Sequence, residues 1–127
     1  EPSRGGSEVF DRVWIDHLPR APKEKIDVFI TLREMGNFGV FQHTSAYEGS
    51  FAAFEWTAKE RGKLLITMLQ TDKRSKLSYK ISREGCEPFE WCLEVKGAPM
   101  GAKRYGSMDD WVIETTEPST VRALVWD

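Results

Sequence analysis

Two cysteines and two histidines are the side chains of this 127-residue chain whose types invite a chemical reading first. Cys86 and Cys92 lie in the run REGCEPFEWCLEV. Two thiols with no histidine close by are too few for a structural zinc site. The spacing C-x5-C also differs from the C-x-x-C redox spacing. Bridged, the pair would staple the turn between two adjacent strands and stabilise the fold by roughly 2 kcal/mol on the loop-entropy account. Unbridged, they are two buried or exposed thiols. A bridge would imply an oxidising compartment: periplasm, cell surface or outside the cell.

His17 and His43 would need carboxylate help, from Asp16 or Glu48, to hold a metal, and no ligand spacing points that way. A surface or hydrogen-bonded role suits both, and no metal or cofactor is expected. Ser45 lies two positions from His43, without a nucleophile elbow or an oxyanion signature. Asp109 and Asp110 sit in an expected turn and read as solvated carboxylates. The glycines form no phosphate-cradling pattern. No catalytic residue is assigned, although a meander can bring His43, Glu55 and Arg104 together without a linear trace.

The elements that would position these groups are strands. From Asn37 to Gln70 aromatic and β-branched runs are punctuated by Glu48-Gly49 and by Glu60-Arg61-Gly62. Upstream, a strand is expected around 13–17, then one over 25–32 with Ile26, Val28, Ile30 and Leu32 on one face. The strand over 38–47 has Phe38, Val40, Gln42 and Thr44 on one face and Gly39, Phe41 and His43 on the other. Strands over 51–58 and 63–70 follow. Residues 76–82 alternate most clearly: Leu77, Tyr79 and Ile81 against Lys76, Ser78 and Lys80. Residues 89–95 repeat the alternation and place Cys92 in an outer row with Glu90 and Glu94. Lysines on one outer row and glutamates on the next suit antiparallel cross-strand pairs. Short strands over 103–107 and 109–115, and a β-rich run over 120–126, complete the chain.

About eight to ten short strands with tight sequential turns give an all-β, antiparallel up-and-down meander, and closure into a barrel disposes of its edges. Residues 1–8 read as a polar tail and 9–127 as one barrel domain. A net charge of −2 with 30% charged residues gives no basic face for a nucleic acid. No apolar run approaches the length of a transmembrane helix. The polar start at Glu1 fits a cleaved signal peptide, a lost lipid anchor or trimming of a recombinant chain.

Arg12-Val13-Trp14-Ile15-Asp16-His17-Leu18-Pro19, Gly39-Val40-Phe41-Gln42-His43-Thr44-Ser45, Cys92-Leu93-Glu94-Val95 and Lys103-Arg104-Tyr105 carry a resemblance. The chain looks like the calycin superfamily of lipocalins and fatty-acid-binding proteins, and more closely like uncharacterised bacterial envelope proteins. Lipocalins carry G-x-W on the first strand, under an arginine from the last; here Arg12 replaces that glycine. The resemblance implies that Trp14 and Arg104 pack together over one barrel end. Two functions follow. One is a secreted or periplasmic carrier of a small apolar molecule, with Phe38, Gln42, Thr44, Tyr79 and Trp91 lining its interior. The other is a non-catalytic envelope interaction module with a packed barrel and a working surface near Trp111 and Trp126. The protein partner of such a module is not named by the sequence.

Overall fold

The fold is given by a computed structural model that describes residues 9–113 and 125–126. Eight strands follow in order: β1 (Arg12–Ile15), β2 (Ile26–Leu32), β3 (Phe38–Thr44), β4 (Gly49–Glu60), β5 (Lys63–Met68), β6 (Arg74–Ser82), β7 (Trp91–Lys96) and β8 (Arg104–Ser107). Each pairs antiparallel with the next, and β8 returns to β1 through Ile15↔Gly106, closing an up-and-down barrel. This is the architecture the calycin resemblance implies. Closure removes both sheet edges. A one-turn helix, α1 (Glu34–Asn37), links β2 to β3. Its exit needs positive φ at Gly36 (81°) and Asn37 (60°), residue types that tolerate the left-handed region.

Aromatic rings cluster in the barrel interior. Trp14, Phe29 and Phe54 are fully buried, and Phe41, Trp56 and Tyr105 join them. Ring centroids lie 5.0 Å apart for Phe41–Phe54, 5.3 Å for Phe29–Phe41 and 5.6 Å for Phe29–Tyr105. Such separations are contact distances for aromatic pairs. The space for Phe54 exists because its neighbour on β3 is Gly39: a Cβ there would overlap the Phe54 ring and the Ile30 carbonyl. Val9 and Phe10 close the rim on the α1 side. The Val9 carbonyl accepts the Trp14 indole N–H at 3.1 Å and the Thr31 hydroxyl at 3.2 Å. Phe10 stacks on Trp56 with centroids 4.6 Å apart.

A second apolar layer lies outside the barrel. Val13 and Ile15 of β1, with Ile26, Val28 and Ile30 of β2, point outward and pack under Trp111. Met108, Ile113, Val125 and Trp126 also pack against this layer. Backbone bonds hold the segment after β8 in place: Val13 N–H to the Trp111 carbonyl at 3.1 Å, and Ile113 N–H to the Asp11 carbonyl at 2.8 Å. Val112 makes only an isolated bridge to Arg12, so the strand expected over 109–115 does not form as far as residue 113. Its last two residues, the 1–8 tail and most of the 120–126 run lie outside the described residues.

The cysteines are bridged, with Cα atoms 5.8 Å apart. The bridge ties the β6–β7 loop to the second residue of β7. Among the described residues no helix is long and apolar enough to cross a membrane.

Two stability outcomes follow. Gly39→Ala lowers the unfolding free energy by about 1–3 kcal/mol through overpacking, and adding Phe54→Leu recovers part of that loss, a coupling of about 1 kcal/mol in a double-mutant cycle. Equal, additive losses in urea titrations would show that the two side chains do not compete for one space. Cys86→Ser with Cys92→Ser lowers stability by about 2 kcal/mol; an unchanged urea midpoint would remove the bridge from the account of stability.

Candidate functional site

A concavity lies where the β5 ladder stops and β6 continues. The β5 ladder on β6 ends at Lys63↔Ser78, whereas the β7 ladder runs on to Ser82↔Cys92. The β4–β5 turn leans over the resulting step, and its Gly62 carbonyl accepts the Tyr79 N–H at 2.8 Å. Gly62 holds φ at +79°, which glycine adopts without strain. Here a groove of about 660 Å³ opens. Lys63, Ser78 and Lys96 form one cross-strand row beside it, and Lys80, Glu94 and Arg104 the next.

The groove is cationic. Arg61, Lys63, Lys80 and Lys96 line it against the single carboxylate of Glu94, a local formal charge of +4 − 1 = +3. The chain as a whole carries −2, so the remainder holds −5. Glu94 pairs with Arg104 at 3.7 Å rather than with the Lys80 opposite it. Lys63 contacts Glu60 at 3.3 Å, a pair exposed on both sides and weak for that reason. Among the described residues neither Lys80 nor Lys96 has a carboxylate within ion-pair distance. The buried Tyr79 and the partly buried Ile81 reach the groove lining from the inner face of β6.

The residues expected to line the interior do not meet there. Phe38, Gln42 and Thr44 share the outer face of β3, because Phe41, on the opposite parity, is the residue that enters the interior cluster. Val40, of their parity, packs against the outer layer. Parity on β3 is ambiguous because both faces mix apolar and polar residues, Phe38 and Val40 with Gln42 and Thr44 on one, Phe41 with Gly39 and His43 on the other. Gln42 and Thr44 are still brought together, in a shallow groove of about 230 Å³ by the β3–β4 turn, beside the exposed Tyr47 and Phe51. Tyr79 does point inward and is buried. Trp91 sits at the barrel rim, partly buried against the interior cluster.

Trp91 holds that rim together. Its ring lies 4.1 Å from the Arg83 guanidinium and 5.3 Å from that of Arg12, and its indole N–H donates to Asp109 at 2.6 Å. Arg83 also meets Asp109 at 3.3 Å. The Trp91 hydrogen bond first, and the Arg83 charge beside it, hold the Asp109 carboxyl below its usual range. The implied Trp14–Arg104 packing does not form. Tyr105 points into the barrel, so Arg104, one residue away, points out: its side chain is 81% exposed and meets Glu94. The Trp14 indole is satisfied instead by the Val9 carbonyl.

The remaining chemical candidates stay apart. His43 faces Asp27 at 2.9 Å, Glu55 is exposed on β4, and Arg104 belongs to the Glu94 pair. His17 meets Asp16 at 3.0 Å and Glu24 at 3.5 Å. Among the described residues no three His, Cys, Asp or Glu side chains converge as metal ligands would. Trp111 is buried and Trp126 is partly buried against the outer layer, so neither forms an exposed apolar patch.

The cationic groove had one sequence signal, the outward Lys76-x-Ser78-x-Lys80 alternation. Nothing in the sequence set Lys63 and Lys96 on either side of Ser78, because that depends on register. No family model matches the chain, and neither the curated proteins nor the solved structures contain a match.

Asp109 makes a pH dependence measurable. Its carboxyl is depressed in the folded state, so the contribution is complete above the ordinary aspartate range of about 4 and is lost as pH falls through the folded value. Asp109→Asn therefore narrows the stability difference between neutral and acid conditions. Thermal midpoints of both proteins taken down the acid range test this; parallel curves would break the link.

Proposed function

We propose that this protein is a non-catalytic, extracytoplasmic binding module that works through the outside of a packed barrel. The observation that carries the reading is the ring cluster of Phe29, Phe41, Phe54 and Tyr105 spanning the interior. A carrier of the lipocalin or fatty-acid-binding kind needs an interior cavity of at least a few hundred Å³. Here buried aromatic rings cluster in the interior, and a groove of about 660 Å³ lies at the wall. The disulfide supports an oxidising compartment, in keeping with the resemblance to bacterial envelope proteins. Fold alone does not supply the activity, so the weight rests on the outer surface and its charge.

Native mass spectrometry of protein purified from its own source, paired with a denaturing run, tests the reading. The expected result is the bare chain mass in both runs, together with no uptake of an apolar fluorescent probe. An apolar adduct released on denaturation, or stoichiometric probe binding abolished by Phe54→Trp, would return the barrel to the carrier class.

A further inference from the structure

We propose that the groove beneath the β4–β5 turn binds a phosphoryl group carried on an apolar body. The assignment rests on the reading that the outer wall does the work, and adds to it a site and a ligand chemistry. Lys80 and Lys96 lie on β6 and β7 at the groove, exposed and without a carboxylate partner among the described residues. Lys63 stands in the same cross-strand row as Lys96, on the other side of Ser78. Backbones of the outer two strands in such a row are about 10 Å apart, two strand spacings, which the long lysine arms can span from both sides. The Ser78 hydroxyl lies between them.

The donor chemistry selects the anion. Lysine ammonium groups are separate point charges, whereas planar carboxylates are matched by the bidentate fork of arginine. Three lysines around one hydroxyl suit a tetrahedral oxyanion with several acceptor oxygens. A phosphate monoester carries nearly two negative charges near neutral pH, which match the two lysines, Lys80 and Lys96, that have no carboxylate partner among the described residues. By the two-residue period of a strand, the Ile81 N–H faces the same side as the Tyr79 N–H, beyond the end of β5, and adds a backbone donor there. The partly buried Ile81 at the groove lining then takes the body of the ligand. The volume of about 660 Å³ lies within the range of small-molecule sites.

Titration calorimetry on the full chain tests the site with decyl phosphate below its micelle concentration, decanol and inorganic phosphate, alongside flotation with phosphatidylcholine vesicles with and without phosphatidic acid. Decyl phosphate binds one to one, decanol does not, and inorganic phosphate binds more weakly. Lys80→Gln and Lys96→Gln each weaken decyl phosphate by about tenfold or more, with unchanged thermal midpoints. Lys25→Gln, far from the groove, leaves binding unchanged. Binding to phosphatidic acid vesicles that exceeds binding to the free ester, and falls with the same substitutions, identifies a lipid headgroup as the source; the reverse order identifies a free organic phosphate. No binding by either form, or binding indifferent to Lys80 and Lys96, overturns the site. Equal binding of inorganic phosphate and decyl phosphate overturns the apolar body. A negative result here leaves the packed-barrel reading standing. That reading fails separately, through an apolar adduct that persists in the lysine variants.

Discussion

The close approach of Phe54 to Gly39 is the contact on which the rest of the barrel depends. With no Cβ on β3 at that point, the Phe54 ring enters the interior and meets Phe29 and Phe41. Buried large aromatic side chains contribute several kilocalories each, so a stack of them dominates the stability of a barrel this small. The same stack occupies the space in which a carrier would hold its cargo. On the reading proposed above, stability and interior binding compete for one volume, and the ring cluster favours packing.

Covering the outer face of β1 and β2 has a second consequence. The segment after β8 lays Met108, Trp111 and Ile113 over Val13, Ile15 and Val28, so these strands are dry on both sides. Charge is correspondingly displaced to the other side of the barrel, where β5, β6 and β7 keep a wet face. There the alternation of apolar and polar residues is clean, and the polar positions are rich in lysine. The Trp91 clamp, held between Arg12 and Arg83 and bonded to Asp109, joins the covered side to the β6–β7 loop. The disulfide secures the same loop.

The cationic groove lies outside both arrangements. It arises from unequal strand lengths, since β6 runs past the start of β5. Among the described residues Lys80 and Lys96 have no carboxylate partner: Lys80 faces Glu94 in register, yet Glu94 engages Arg104. Like charges crowded at a groove disfavour the folded state modestly when no anion is present, and an anion that binds only the folded chain reverses that cost.

The sequence made legible the strand count to within two, the antiparallel meander and the expectation of barrel closure, because each follows from local periodicity and turn residues; it put the cysteines within reach of a bridge, which the fold then forms. It also determined which faces of β6 and β7 are wet, since the alternation there is unambiguous. It misassigned the face of β3: Phe38, Gln42 and Thr44 point out and Phe41 points in, because each face of that strand carries both apolar and polar residues and the pattern has no clear parity. It also paired Trp14 with Arg104, which strand parity sends to opposite sides of the wall. That the rings cluster in the centre, and that Lys63 and Lys96 flank Ser78, emerged with the three-dimensional fold. Those facts depend on register and side-chain volume across strands distant in the chain, and no local pattern encodes either.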